Sequence, residues 1–433
     1  GQMTQIDYMA FTDFSDIEKY SIGSVLWGGN SEIADLSPEG WSKVADELQS
    51  HSQKTRLQIP LLFGIDAVHG HNNVDGAVVF PHNVGLGCTR NPELVEKAAR
   101  ITAEEIAGTG IHWTFAPCVA VARNERWGRT YESFSEDPEI VAMLGAAAVR
   151  GFEKGNLAAN DAVLSCTKHY MGDGGTTNGK DQGDTEVDEE TLRRIHMPGY
   201  VEALKAGTGS IMASYNTWNG EKLHGHKYLL TDVLKNELGF KGFIVSDWAA
   251  IDQLPGDYKS DIEHSINAGM DMVMIPNGPR EQDVVEETAN GPVKKNTYLD
   301  FINYTKELVE EGKTPMSRID DAVSRILKVK YDLDLFNKLT TDKELLSKVG
   351  SQEHREIAKE CVRESLVLLK NENQTLPLSK TADRIHLAGS GADNIGMMCG
   401  GWTISWQGES GNVINGGTTI LNAFKNTVSP ETK

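Results

Sequence analysis

Four apolar runs in this chain end on side chains able to do chemistry. "IPLLFGID" ends on Asp66, "AVLSCTK" on Lys168 with His169 next, "GSIMASY" on Tyr215, and "GFIVSD" on Asp247 with Trp248 next. A fifth, "IHWTFAP", ends on Pro117. A chance distribution would put such groups mostly on helices and solvated faces, whereas barrel enzymes collect them at the C-terminal ends of strands. A carboxylate beside an indole suits attack on a sugar. Retaining glycoside cleavage needs a carboxylate beneath the anomeric carbon and a protonated acid about 5–5.5 Å away. Asp, Arg, Lys and His would partner the buried hydroxyls, each of which is costly to leave unbonded.

Each residue also has a plainer role open to it. Asp66 in "GIDAVHGHNN" can cap a helix, and Lys168 can form a Schiff base, as in an aldolase. His169 is simply explained as a hydrogen-bond donor to a polar ligand. Arg126 and Arg129 in "RNERWGRTYESFSEDP" flank a tight turn, where one of them can be only a surface charge. Trp248 is either core or binding platform. His69 and His71 are two apart and lack the HxxxH-type spacing of a helical metal site, so no metal is expected. No cofactor is expected either.

The elements that would carry these residues alternate. Strand-like runs fall at 21–27, 59–66, 111–117, 162–168, 209–215, 242–247 and 270–275. Between them, "SPEGWSKVADELQ" opens on a Ser cap followed by Pro, and "NPELVEKAARITAEEIAG" opens on Asn-Pro and closes on Gly. "DEETLRRIHMPGYVEALKAG" should bend or break at Pro198. Such alternation implies βαβ units and a parallel sheet. Seven visible strands with room for an eighth predict an α/β fold, a TIM-like (β/α)8 barrel over residues 1–336. The first strand is followed by no GxGxxG turn, which counts against a dinucleotide fold. A charged linker, 337–348, then leads to the opening of a second α/β domain, 349–433, with a strand at 384–393.

Composition narrows the classes. The 433 residues carry 42 Lys plus Arg against 62 Asp plus Glu, a formal charge of -20 that repels phosphate backbones and argues against nucleic acid. At 39% hydrophobic and 24% charged, the chain reads as a globular enzyme, and no apolar run reaches the roughly 20 residues of a membrane span. Cys88, Cys118, Cys166, Cys361 and Cys399 form no CxxC pair and are expected to be free, buried thiols.

Taken in order, "GIDAVHGHNNV", "FPHNVGLG", "RWGRTYESFSEDP", "TKHYMGDGGT", "GSIMASYN", "GFIVSDW" and "GGWTISWQG" resemble glycoside hydrolase family 3, the β-glucosidase and exo-β-glucanase group. The resemblance covers essentially the whole chain and is to the two-domain members from plants and bacteria. It implies a retaining, exo-acting enzyme that releases glucose from β-glucosides and β-gluco-oligosaccharides, with Asp247 as catalytic nucleophile. It also implies that Asp66, Arg129, Lys168 and His169 surround the terminal sugar, with Tyr215 beside the nucleophile. Trp248 and Trp406 would sandwich the next sugar, and Trp402 would add a further face. The family's general acid is a glutamate well downstream of "GGWT", hence expected beyond Lys433; Glu409 sits too early to match. Some plant relatives bridge two cysteines around "RWGR". Ala122 and Thr130 stand near it here, so no such bridge is expected. A periplasmic or extracellular location goes with the resemblance, and the oligomeric state is left open.

Two alternatives come from the same residues. Single-domain N-acetyl-β-hexosaminidases of the family resemble the chain at "KHY" but carry an Asp-His dyad on the following loop. That loop here, "MGDGGTTNGKDQGDTE", has no histidine. A non-catalytic sugar-binding protein is the other.

Overall fold

A computed structural model describes residues 1–280 and 295–433 in full, and the backbone alone at 281, 285–288 and 291–294. Eight short strands form the centre: β1 (Thr4–Asp7), β2 (Ser24–Trp27), β3 (Leu62–Ile65), β4 (Trp113–Thr114), β5 (Cys166–Tyr170), β6 (Ser210–Ala213), β7 (Phe243–Val245) and β8 (Val273–Ile275). Their ladders run β8-β1-β2-β3-β4 and β7-β6-β5, with every pairing parallel. Parallel bridges Trp113–Leu164 and Cys118–Lys168 join β4 to β5, and Val245–Met272 joins β7 to β8. The sheet therefore closes on itself, as a (β/α)8 TIM-like barrel does.

The eighth strand is β1, which sequence reading did not place. It is four residues long and polar at three of them, yet all four residues are buried. Gln5 donates through Nε2 to Ser24 Oγ at 2.9 Å, while Thr4 Oγ1 and Gln5 Oε1 are buried without a hydrogen-bond partner among the described residues, and these polar side chains hide the strand's apolar pattern. The other strands are near-continuous apolar runs because both faces are covered. In β3, a Cβ on Gly64 would lie 2.5 Å from the Phe115 ring, so glycine lets that ring fill the interior.

The helices follow their caps. Helix α1 (Pro38–Ser52) starts where Ser37 accepts from Gly40 N, and α2 (Pro92–Gly108) where Asn91 accepts from Leu94 N. Proline occupies the first turn of both, and also of α3 (Pro138–Glu153). The bend expected at Pro198 is present: a π-type turn over Leu192–His196 precedes α4 (Pro198–Ala206).

Beyond the barrel, α5 (Gln352–Ser365) packs on α2 and on the short helix Asn83–Thr89. Past α5, the described residues of 366–433 form turns and the short helices Ile395–Cys399 and Ile420–Thr427. The strand expected at 384–393 does not form. A strand needs a neighbour for its N–H and C=O groups, and the apolar run Leu366–Leu369 earlier in the same segment is exposed too, Leu369 to 92%. All five cysteines are free; Cys118, Cys166 and Cys361 are buried, Cys88 exposed and Cys399 half-buried.

One contact ties α5 to the barrel. His354 Nδ1 lies 2.8 Å from Glu105 Oε1, and its Nε2 lies 3.4 Å from Glu104 Oε2. Burial works against the charged ring, but hydrogen bonds to the two carboxylates outweigh it and lift the pKa to about 9. The folded-state value lies above the unfolded one, so this stabilisation is complete below about pH 6.5 and is lost as pH climbs through about 9. Thermal unfolding followed from pH 6 to 10 should show the loss, on the order of 2–3 kcal/mol, and His354→Ala should remove most of that pH dependence.

Candidate active site

A pocket of about 450 Å³ opens at the C-terminal ends of the strands. Asp66, Arg129, Lys168, His169, Tyr215, Asp247, Trp248 and Trp406 all line it, as do Trp402 and Asp7. All eight residues assigned to the site from sequence therefore meet in one place, while Arg126, His69 and His71 stand outside its lining. A second cavity, about 300 Å³, lies at the opposite end of the barrel, between Asp46, His112, Lys338 and the 339–342 segment. The strand ends that carry ionisable groups point to the first.

Two ion pairs organise one side of the pocket. Lys168, 1% exposed, donates through Nζ to Asp66 Oδ1 at 2.7 Å, and the same ammonium stands 5.3 Å from the Trp402 ring centre. Burial raises the pKa of Asp66, with Lys168 pulling it back. Arg129 grips Glu132 through both ends of its fork, Nε to Oε1 at 2.8 Å and Nη2 to Oε2 at 3.0 Å. Burial disfavours charge on Glu132, yet Arg129 and Lys168 prevail and hold it below the usual carboxylate range. The Trp402 indole N–H donates to Glu132 Oε1 at 3.0 Å.

A neutral imidazole joins the two halves of the site. His169 Nδ1 lies 2.8 Å from Asp173 Oδ2, and Nε2 lies 3.0 Å from Arg129 Nη2 and 3.8 Å from Asp247 Oδ2. Burial, then Arg129 and Lys168, push its pKa well below the ordinary value. Lys168 and His169 are adjacent, and a strand would normally send them to opposite faces. The β5–β6 register shifts between Thr167 and Tyr170, an irregularity that re-aims side chains. Both consequently reach the pocket.

Asp247 follows β7. Its N–H donates to His224 Nε2 at 3.0 Å, and Oδ1 accepts from Trp248 N at 2.7 Å. Oδ2 is buried without a hydrogen-bond partner among the described residues. Burial pushes the carboxyl up to about 6, with Arg129, the Trp248 N–H and Lys168 opposing the rise. Tyr215 OH donates to the Trp248 carbonyl. The indoles of Trp248 and Trp406 are 42% and 40% exposed, which places them as rim surfaces rather than core.

The wall carrying Trp402 and Trp406 belongs to residues 394–408 and is bonded to the barrel. Asn72 Nδ2 donates to the carbonyls of Asp66 and Trp402, and Ile404 N donates back to Asn72 O at 2.9 Å. Gly29, at φ +63, leaves room for the Trp402 ring, which a Cβ would meet at 2.9 Å. His69 and His71 do not converge on an ion: His69 bonds Phe80 O and Thr403 Oγ1, and His71 bonds Thr109 Oγ1.

Sequence reading missed Glu132, Asp173, His224 and Asp7. Glu132 carried a usable signal, three residues after Arg129 on the same turn. Asp173, four after His169, carried another. Among the described residues, one group brings three metal-type ligand atoms within 4.8 Å, namely Cys118, His169 and Asp173. In the structure two of these already bond each other.

A profile described as "Glycosyl hydrolase family 3 N terminal domain" matches residues 1–329, and one described as "Glycosyl hydrolase family 3 C-terminal domain" matches 366–432. The chain is 34% identical to the lysosomal beta glucosidase of Dictyostelium discoideum over 98% of its own length and 53% of that protein's. It is 33% identical to the periplasmic beta-glucosidase of Salmonella typhimurium over 88% of its length and 46% of that relative. The crystal structure of the exo-1,3/1,4-beta-glucanase of a Pseudoalteromonas species superposes with a TM-score of 0.89 at 39% identity, over 98% of this chain and 52% of that one. The chain spans about half the length of the curated relatives it matches. With both profiles matched in order across a closed barrel and its following segment, the chain belongs to glycosyl hydrolase family 3.

Proposed function

We propose that this chain forms the sugar-binding and nucleophile-bearing part of a retaining, exo-acting β-glucosidase or exo-β-glucanase. The observation that carries the proposal is Asp247: a buried carboxylate with one unbonded oxygen, in a pocket whose lining combines polar groups, indoles and methionines. In this reading Asp247 attacks the anomeric carbon and forms the glycosyl-enzyme, which water later hydrolyses. Asp66 accepts from sugar hydroxyls while Lys168, Arg129 and His169 surround the same terminal glucosyl unit. Tyr215 holds the Trp248 carbonyl and so the turn that carries Asp247. Trp248 and Trp406 bracket the next sugar, and such a slot suits several linkages because it reads ring faces rather than hydroxyl patterns. A carboxylic acid other than Glu409, which is exposed and outside the pocket lining, delivers the proton to the leaving group.

The names of the similar proteins support β-glucosides and β-gluco-oligosaccharides as substrates, and the periplasmic and lysosomal descriptions of two of them support a place outside the cytoplasm. No helix among the described residues is long and apolar enough to cross a membrane.

The decisive experiment uses a 2-deoxy-2-fluoro-glucoside with a dinitrophenyl leaving group, which departs without a general acid. Peptide mass spectra should show a fluoroglucosyl adduct on Asp247; an adduct on another carboxylate, or none on folded protein, would reject the assignment. The pH profile supplies a second check. A nucleophile must be ionised, so kcat/KM should rise as pH climbs through about 6, the value to which burial brings Asp247. An acidic limb near 4 would contradict that environment.

A further inference from the structure

We infer that Asp173 is a positioning residue: it fixes the tautomer of His169 and, through that ring, the place of the Arg129 guanidinium beside Asp247. The inference rests on the reading of this pocket as a glucoside site. A guanidinium has five donors and no acceptor. At 3.0 Å from Arg129 Nη2, His169 Nε2 must therefore present a lone pair. The ring proton then sits on Nδ1 and is donated to Asp173 Oδ2 at 2.8 Å. A doubly protonated ring would set two cations against each other in a buried site.

The fold holds Asp173 for this task. It lies directly after Gly172, at φ +98, in a tight turn, and its other oxygen, Oδ1, is buried without a hydrogen-bond partner among the described residues. Gly174, next along, lies where a Cβ would come within 2.4 Å of Val121 O, and its carbonyl accepts from Arg123 N at 2.8 Å. The turn is thus pressed against the 121–123 segment, and the carboxylate cannot drift from the ring.

Asp247 is faced by Arg129, Lys168, Asp66, His169, His224 and Tyr215. Of these, Arg129 opposes its protonation most. Without Asp173 the imidazole is free to carry its proton on Nε2, which sets N–H against N–H at Arg129 and turns the guanidinium away. Asp247 would then hold its proton to higher pH. Burial pushes Asp173 itself up to about 7, so near pH 6 it carries little charge, and loss of that charge alone leaves the limb in place or lowers it; only the displaced guanidinium moves it upward.

The test measures kcat/KM against pH for 4-nitrophenyl β-glucoside, in the full-length protein and its Asp173→Ala and Asp173→Asn variants. In D173A the acidic limb should move up by about one pH unit, so that activity near pH 5 falls about 10-fold beyond the loss near pH 8. D173N, whose amide oxygen still accepts from Nδ1–H, should keep the wild-type limb and stay within about 5-fold of wild-type activity. A limb that is unmoved or lowered in folded D173A, or a D173N as impaired as D173A, overturns the inference. Nitrogen NMR of 15N-histidine-labelled wild type, with the His169 signal assigned by its loss in His169→Asn, reads the tautomer directly. Protonated Nδ1 with bare Nε2 is expected, and the reverse overturns the inference even where D173A does not fold. A wild type that turns over no β-glucoside would fail the functional reading, while the NMR result would still judge Asp173.

Discussion

Asp247→Ala is expected to lower turnover of an aryl β-glucoside by at least about 10⁴-fold, the scale on which removing a catalytic group that bonds to substrate acts, with no loss of stability. The two halves of that outcome have separate causes. The side chain makes one hydrogen bond, from Trp248 N, while the bond to His224 runs from the backbone N–H, which alanine keeps. Burial disfavours the charge on this carboxylate, as its raised pKa records. Its removal should leave the unfolding temperature unchanged or higher, a trade between activity and stability common at strained sites. Steady-state rates and thermal unfolding on the same preparation check both halves. Added azide should restore part of the activity by attacking the anomeric carbon in place of the carboxylate, giving α-glucosyl azide. Activity within 10-fold of wild type would remove Asp247 from the chemistry.

Lys168→Met is expected to reduce kcat/KM by about 10²–10³-fold, because a pocket built to bond hydroxyls is punished for each partner left unpaired. Here the fold should suffer too. The ammonium is 1% exposed and is the direct partner of Asp66, and it also helps hold Glu132 ionised. Breaking a buried pair from one side typically costs about 3–5 kcal/mol, because the remaining charge stays buried. Replacing both partners, Lys168→Met with Asp66→Asn, should recover at least half of that stability while activity stays low. A double variant no more stable than K168M would mean that the pair does not account for the loss.

Much of this site was legible because a barrel places chemistry at strand ends. Asp66, Lys168, Tyr215 and Asp247 stand where apolar runs stop, and a linear reading sees such boundaries directly. The choice of Arg129 over Arg126, and Trp406, came only through the family motifs, since each sits on a loop whose course no local pattern dictates. What escaped has a physical reason in each case. β1 was hidden because three of its four residues are polar, and nothing local shows that Gln5 finds a partner on the neighbouring strand. Glu132 and Asp173 act on pocket residues rather than lining the pocket, and a side chain that bonds another side chain leaves no periodic trace. The expected strand at 384–393 failed for a different reason, since extended structure depends on neighbours that local sequence cannot guarantee.

The bonds that Asn72 makes reach beyond geometry to how this pocket can change over generations. One amide donates to the backbone just after β3 and to the backbone of the wall that carries Trp402, while Trp402 reports to Glu132 and Thr403 to His69. The wall is therefore inherited with the barrel loops. A substitution at position 69, 72 or 132 displaces an indole some 270 or more residues downstream in sequence, and the 394–408 segment cannot be exchanged for a relative's unless those three barrel positions travel with it. A change in either of these two distant stretches of the gene therefore calls for a matching change in the other if the Trp402 wall is to keep its place.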